Sequence, residues 1–548
     1  METCKTKISE YQKHRGATLV FLIVALVFQS ACSLQPQRSD WLARTMTDEN
    51  GLQYHNSTHR IALLPNGRIA LHHRLSLIRE AQNSIRIQTF ILGDDPVARV
   101  ILRELRNAAE RGVSVKILAD GMLVADTAVE VLAYMSQNRN FEARIYNPVP
   151  DLDLEKMNQR MHNKLMIVDE RIAVLGGRNL ADEYYDADEE LNFLDLDVAV
   201  EGEAISDMTL SFYEYWQHGS IVESTTVKNF SDIEIMPEDL IRALEKNLGT
   251  SDINLHWFEV NELAFWADPA GKPDPQVDPR SFTLRLASEV AKVKEELIIE
   301  SPYFVLSNNA QSLFGELRKR NINLSLYTNS LASTDNWLTY AHALRQRRMV
   351  LEYLSFNVRE MRPYPQAMPD YYFGWLSNAT TGNTETSSGN LPRLCLHSKA
   401  LVMDNEMAMV GSYNLDPRSA NYNTELGVAV RDKRFAMELR QLIETQMNAQ
   451  NSWIVARRTR LMALNFAYDI FEEFNFLAQQ TTTLDIWPVR YSSLYELERD
   501  GESVSPDDPR FYDMHRKVGL FPDVPYGSRK IFLVELSRML SGPFESFL

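Results

Sequence analysis

The chain has 548 residues, with 57 Lys+Arg against 74 Asp+Glu, a formal net charge of −17 and 45% hydrophobic residues. Ordinary hydrophobicity, 22 Gly, 22 Pro and 3 Cys exclude a disordered, collagen-like or disulfide-stapled chain, and the length suffices for several domains with a sizeable core. The acidic balance disfavours gripping nucleic acid over a broad basic surface or adsorbing to anionic lipid through a polybasic patch, so an anionic substrate must be held by a few local cations.

Residues 1–16 carry Lys5, Lys7, Lys13 and Arg15, and residues 17–28 (ATLVFLIVALVF) form an apolar run of 12. A transmembrane helix needs about 20 apolar residues, so this run has the length of a signal-peptide hydrophobic region. Ser30, Ala31 and Cys32 follow. The segment resembles a bacterial lipoprotein signal, in which the Cys is lipidated and becomes the mature N-terminus. Gln29 departs from the aliphatic residue usual three positions before that Cys. The resemblance implies a signal peptide over 1–31, lipidation at Cys32 and membrane attachment through that lipid. It places the mature chain in the bacterial cell envelope, facing the periplasm, with Ser33 favouring the outer membrane. A plain cleaved signal or an uncleaved anchor is the alternative. With Cys32 lipidated and Cys4 removed, Cys395 has no disulfide partner.

The body of the chain repeats. Residues 75–121 and 282–330 each read as a helix, an apolar strand (84–92; 297–306), an amphipathic helix (97–111; 310–320) and a second apolar strand (113–119; 322–327). Alternating strands and helices predict βαβ units and a mainly parallel sheet. The period of about 200 residues is far too long for a solenoid. The expected organisation is an N-terminal linker (32–59), a first domain (60–248), a linker (249–279, with ADPAGKPDPQVDP at 267–279), a second domain (280–450) and a C-terminal extension (451–548).

Residues 161–179 read MHNKLMIVDERIAVLGGRN, and residues 396–414 read LHSKALVMDNEMAMVGSYN. Both hold His-x-Lys, four residues, Asp, six residues, Gly-Gly/Ser, one residue, Asn. One chance match is on the order of 10⁻⁵ per chain, and two at equivalent places are not accidental. His162 and Lys164 alternate with Asn163 and Leu165, so on a strand they share a face, as do His397 and Lys399. Asp169 and Glu170 read as a turn, with 172–175 the returning strand. Aligning the halves further matches Asp195 with Glu425. A carboxylate there could accept from the second ring nitrogen of a histidine and fix its tautomer; an ordinary sheet-edge acid is the other reading.

These paired motifs resemble the phospholipase D superfamily, whose signature is a duplicated His-x-Lys-x4-Asp. The match spans roughly residues 60–445. The surroundings RMHNK (160–164), GGRNLADEYY (176–185), DLDVAV (195–200), SPYF (301–304), TNSLAS (328–333) and GSYNLDPRSANYNTELG (411–427) are similar to bacterial cardiolipin synthases of the C type and their lipoprotein relatives. The resemblance implies an α/β fold of two tandem phospholipase D-like domains, each a mainly parallel sheet flanked by helices, sharing one active site at their interface. It implies the catalytic motif residues His162, Lys164, Asp169, His397, Lys399 and Asp404. One His attacks a phosphodiester to form a phosphohistidine, and the other serves as acid and then base. His162 is the expected nucleophile and His397 the acid, although the symmetry leaves the reverse open. Lys164, Lys399, Asn179 and Asn414 would hold the phosphate oxygens. Asp169 and Asp404, at the strand ends, are assigned a structural role, pairing the lysines or a neighbouring arginine.

Arg178 and Arg418 are candidate headgroup contacts, against surface salt bridges. Tyr303 and His342 fall in segments resembling the family and are candidates to line the site; core burial explains Tyr303 equally well. No cofactor is called for. A metal is disfavoured, because a Lys on the same face repels a cation and no Cys/His ligand spacing is present. Residues 377–390 (SNATTGNTETSSGN) read as a flexible loop leading into the second motif, a candidate lid or an inert surface loop. Residues 529–540 read as a helix with one apolar face, closing on the domain or docking on a bilayer. The expected reaction transfers a phosphatidyl group to phosphatidylglycerol. Hydrolysis to phosphatidic acid, nuclease activity and a non-catalytic lipid-binding lipoprotein are the alternatives.

Overall fold

A computed structural model describes residues 54–148, 158–222, 255–272, 278–367, 392–458, 490–498, 503–524 and 527–540. The expected signal peptide, Cys32 and the 377–390 loop lie outside the described residues.

The first half contains β1 (His55–Leu64), α1 (Gly67–Glu80), β2 (Ser84–Leu92), α2 (Pro96–Glu110), β3 (Ser114–Val124), α3 (Asp126–Met135), β4 (Phe141–Tyr146), β5 (Leu165–Val168), β6 (Ile172–Gly176), β7 (Leu191–Leu194), β8 (Asp197–Glu201), α4 (Ala204–His218) and β9 (Gly219–Ile221). The second contains β10 (Trp257–Ala267), α5 (Phe282–Ala291), β11 (Glu296–Glu300), α6 (Asn308–Lys319), β12 (Asn323–Asn329), α7 (Trp337–Arg345), β13 (Phe356–Met361), β14 (Arg393–Leu396), β15 (Ala400–Met403), β16 (Met407–Gly411), α8 (Pro417–Asn421), β17 (Leu426–Arg431), α9 (Lys433–Gln446) and β18 (Ser452–Arg457). β19 (Ser492–Leu497), β20 (His515–Gly519) and α10 (Gly527–Leu540) close the described chain.

Capping fixes several helix starts. Asn66 Oδ1 accepts from the Ile69 N–H to begin α1, and Asp95 Oδ1 from Ala98 to begin α2 with Pro96 in its first turn.

The two βαβ runs, β2–β3–β4 and β11–β12–β13, pair in parallel, as their helical crossovers require. The motif hairpins β5–β6 and β15–β16 add antiparallel pairs on their flank, so each half-sheet is mixed. Both hairpins turn on two residues with positive φ, Asp169 and Glu170 (53° and 52°) and Asp404 and Asn405 (53° and 57°). Three residues separate the paired ends in each, Val168 from Ile172 and Met403 from Met407.

At the centre β8–β1–β10–β17 run antiparallel, fusing both half-sheets into one sheet of eighteen strands among the described residues. Residues 249–279, expected as a linker, therefore contain a central strand, β10. The extension beyond 450 adds β18, β19 and β20 to the outer side of β13. α10, over 529–540 of the sequence expectation, packs Val534 and Ile531 against Tyr340 and Leu344 of α7 and leaves Phe532 and Leu536 exposed.

The motif strands are buried on both faces. Met166 and Val168 pack under α1 and α2 in one apolar cluster, while Leu165 and Ile167 face another. The latter also holds Val402 of β15, Phe212 and Tyr215 of α4, and Phe435 and Leu439 of α9. One core thus spans both halves on that face, which fixes the two motifs relative to each other.

Candidate active site

The strands begin later than the alternation predicts. β5 starts at Leu165 and β15 at Ala400, so each His-x-Lys is an extended lead-in that crosses to the other half. His162 donates its backbone N–H to Thr424 O (3.0 Å), and His397 to Leu194 O (2.8 Å). Two parallel pairings carry these crossings. β14 pairs with β7, with Leu396 opposite Leu194, and a single bridge joins Met161 to Thr424. In each case the next residue on one side is the histidine and on the other the acid.

The acids are therefore exchanged between halves. Glu425 Oε2 lies 2.9 Å from His162 Nδ1, and Asp195 Oδ2 lies 2.6 Å from His397 Nδ1. In both couples the acid takes Nδ1, and His397 Nε2 lies 3.1 Å from Lys399 Nζ. His162 and His397 each keep 6% exposure at the bottom of the site. Phe90 stands edge-on to His162 at 5.0 Å, and Tyr184 (5.2 Å) and Phe193 (4.9 Å) wall His397.

Lys164 Nζ donates to the His162 carbonyl at 2.8 Å, and Lys399 Nζ bonds the His397 carbonyl and lies 2.9 Å from His397 Nδ1. Asn179 Oδ1 accepts from Ile91 N at 3.0 Å, while Asn414 Oδ1 is unbonded. The two ammonium groups are buried together, and burial first, then Lys399, drives Lys164 well below the usual lysine range.

The two histidines are not electrostatically equal. Burial, then Lys164 and Lys399, push His162 well below its ordinary value. Burial and Lys399 also lower His397, but the Asp195 carboxylate opposes them. Burial alone would raise Asp195; the charge and hydrogen bond of His397, with Lys399 and Arg178, hold it well below the carboxylate range instead. Glu425 goes the other way, pushed by burial up to about 7 against Lys164 and the Ser412 hydrogen bond. Ser412 Oγ donates to Glu425 Oε2 (2.5 Å) and Ser419 Oγ to Oε1 (2.7 Å). The counterpart of Ser412 is Gly177, where a Cβ would come within 2.0 Å of Asp195 Oδ1.

Several expected site residues sit elsewhere. Asp169 accepts from the backbone N–H groups of Gln82, Asn83 and Ser84 (2.9, 2.7 and 2.8 Å). Asp404 does the same for Lys294, Glu295 and Glu296 (2.9, 2.8 and 3.1 Å). They pin the loops entering β2 and β11. Neither pairs a motif lysine, because five residues of extended chain, roughly 16 Å, separate each from its lysine.

Arg178 is neither a headgroup contact nor a surface ion pair. It is 1% exposed, and its guanidinium donates to the carbonyls of Leu64, Pro65, Tyr184 and Asp195. It braces the backbone of Asp195. His342 is buried in α7, with both ring nitrogens unbonded and its pKa pushed to about 4 by burial and Arg345. Tyr303 donates to Asp335 (2.8 Å), which also receives Cys395 Sγ at 3.6 Å. Arg418 lies on α8, half-buried, within electrostatic reach of His162.

The structure adds residues that the motif reading passed over. Asp268, in the supposed linker, accepts from Glu425 N (3.0 Å) and Phe282 N (2.8 Å) and pairs with buried Lys272 at 3.0 Å. Asp120 Oδ2 accepts from Met161 N (2.8 Å), and its counterpart Asn329 Oδ1 from Leu396 N (2.8 Å). Each thus holds the residue before a motif histidine. Aligned at the β-strand level, the two positions coincide, but nothing in their local sequence marks them.

Comparison with known proteins gives the family. The family described as cardiolipin synthase, PLD-like domain matches residues 75–216 and 286–447. An uncharacterized protein of Helicobacter pylori (strain ATCC 700392 / 26695) is 31% identical over 439 residues, covering 74% of this chain and 83% of that protein. Cardiolipin synthase C of Escherichia coli (strain K12) is 26% identical over 405 residues, 69% of this chain and 82% of that protein. The crystal structure of phosphatidylserine synthase from Haemophilus influenzae Rd KW20 superposes with a TM-score of 0.54 at 15% identity, over 81% of this chain and 99% of that chain. With the family matching in both halves, each around its own His-x-Lys, the chain belongs to the cardiolipin synthase, PLD-like domain family.

Proposed function

We propose that the chain is a phosphatidyltransferase that moves a phosphatidyl group from one phospholipid to a free hydroxyl of phosphatidylglycerol, making cardiolipin. The observation that carries the reading is the pair of exchanged, unequal His–acid couples. A neutral His162 donating Nδ1–H to Glu425 keeps its Nε2 lone pair for attack. His397 is backed by an ionised Asp195 and is the better proton carrier.

His162 Nε2 attacks phosphorus, the bond to the leaving alcohol breaks, and His397 Nε2–H protonates that oxygen. In the second half, the acceptor hydroxyl gives its proton to His397 Nε2. Its oxygen forms the new P–O bond, the P–N bond breaks, and His162 is restored. Lys164, Lys399 and the amide of Asn179 supply positive charge and donors for the non-bridging oxygens.

Thin-layer chromatography of labelled phospholipids tests the reading. Cardiolipin from phosphatidylglycerol, lost in His162→Ala and His397→Ala, supports it; phosphatidic acid alone would leave a hydrolase. A trapped phosphoenzyme mapping to His397 would reverse the two roles. We also infer envelope attachment through Cys32, and loss of palmitate label in Cys32→Ala tests it.

A further inference from the structure

The reaction proposed above involves two phospholipids, and only one phosphate is attacked. The acceptor carries a second, unreactive phosphodiester charge into an acidic protein. A dedicated cation near His162, other than the two motif lysines, would have to receive it.

Arg418 fits that requirement. It sits on α8, half-buried, and its Nε is buried and unbonded. No carboxylate forms an ion pair with it among the described residues. A buried N–H donor without a partner is costly unless a ligand takes it. Its charge acts on His162, Arg160 and Asp416, lowering the pKa of each. Its side chain reaches across to the other half, Nη2 donating to Met122 Sδ at 3.9 Å.

Met122 and Leu123 are themselves unusual. They are 36% and 44% exposed at the end of β3. The β2–β3 register shifts just there, between Thr89 and Ile91, which throws them outward. Asp120 Oδ1 accepts from Met122 N (2.9 Å) while its Oδ2 holds Met161 N, so this lip is tied to the backbone beside His162. The equivalent positions after β12 are Leu331 and Ala332, each 1% exposed. There α10 covers Leu331, packing Val534 in its cluster and donating Lys530 Nζ to its carbonyl at 2.9 Å. One lip of the pseudo-symmetric site is sealed and the other is bare and apolar beside a bare cation.

We infer that Arg418 is the subsite for the unreactive phosphate of the acceptor phospholipid, with Met122 and Leu123 meeting its acyl side. The inference rests on the transferase reading. Arg418 takes no part in bond exchange: the acceptor oxygen still attacks the phosphorus on His162 Nε2, and its proton still goes to His397. A water molecule carries no phosphate and gains nothing from Arg418. The residue therefore sets how the phosphatidyl-enzyme partitions between lipid acceptor and water.

The test uses the full chain and vesicles of labelled phosphatidylglycerol, and reads the ratio of cardiolipin to phosphatidic acid. Arg418→Gln should lower that ratio about tenfold or more, the scale of one charge-assisted hydrogen bond, and raise KM for phosphatidylglycerol. Arg418→Lys should recover part of the ratio. Leu123→Ser, an exposed substitution, should raise KM for vesicular substrate. Both products falling together in Arg418→Gln, or an unchanged ratio, would overturn the subsite while leaving the transferase intact. Wild type releasing only phosphatidic acid would sink the transferase and the subsite with it.

Discussion

Asp195 and His397 lie 202 residues apart in the chain and 2.6 Å apart in space, from opposite halves of the molecule. The same exchange joins Glu425 to His162. An orienting acid fixes the ring and supports its protonated form, and loss of that charge in comparable hydrolase sites costs up to about 10⁴-fold. Asp195→Asn should therefore lower kcat by on the order of 10²–10⁴-fold with little change in KM. Retention of full kcat would remove Asp195 from the machinery.

The pH dependence follows from the two shifted histidines. The nucleophile must be neutral, so activity rises with pH through the His162 value, which lies well below 6.5. The acid must be protonated, so activity falls as pH rises through the His397 value, also lowered from 6.5. The profile of kcat/KM, which reports the free enzyme, should be a bell whose two limbs both lie on the acid side of 6.5. Asp195→Asn removes the charge that raises His397 and should move the alkaline limb lower still. A limb that moves upward would contradict the assignment.

Ser412 and Gly177 occupy equivalent places with opposite demands. Ser412→Gly removes a hydroxyl donor from buried Glu425 and should cost about 1–3 kcal/mol of stability. Gly177→Ser would drive a Cβ against Asp195, 2.0 Å from its oxygen, and should displace the acid from His397. Melting curves and kcat on both variants should show a modest loss for the first and near-complete inactivation for the second.

Asp169→Ala and Asp404→Ala should act on stability alone. Each deletes an acceptor for three backbone N–H groups at a strand entrance, worth about 1–2 kcal/mol where solvent partly replaces it. Denaturant midpoints should fall, while kcat/KM per folded molecule stays within about twofold. A hundredfold loss of kcat without loss of stability would restore them to the catalytic set.

Glu300 of β11 occupies the place of Gln88 in β2, opposite Ala400 and Leu165 respectively. Both are about 1% exposed with unbonded side-chain atoms. Burial pushes Glu300 up to about 8 from 4.5. The folded state thus keeps a proton that the unfolded chain has lost, so stability falls as pH rises between 4.5 and about 8. Glu300→Gln, the amide already present in the other half, should flatten that decline. Melting temperatures at pH 5.5 and 8.5 check it, each kcal/mol being worth roughly 2–4 °C. Parallel behaviour of the variant and the wild type would show that Glu300 does not hold the proton.

Much of this was legible in the sequence because it is local. The βαβ units show in apolar periodicity, the hairpin turns at Asp169 and Asp404 in their spacing, and the acids 195 and 425 in the alignment of one half on the other. The exchange of acids was not, since alignment pairs each acid with its own half and only the crossing of β7 with β14 sends it to the other. β7 and β14 have four residues each, too short for a periodic signal. Asp268 hid in a Pro- and Asp-rich stretch whose composition reads as a linker although it follows a central strand. Arg178 and Arg418 look alike in sequence, and only burial separates a backbone brace from an available cation.

The seam between β1 and β10 carries a consequence for the chain as a heritable object. Neither half owns a complete catalytic couple, so a gene cut between residues 222 and 255 would yield two inert polypeptides. Co-expressed, they should regain activity only on reassociation along that seam. By the same geometry, an ancestor of half this length could have acted only as a pair of identical subunits, each lending its carboxylate to the other's imidazole. In the single chain the two couples need not be alike, and they differ in Gly177 beside Asp195 against Ser412 beside Glu425.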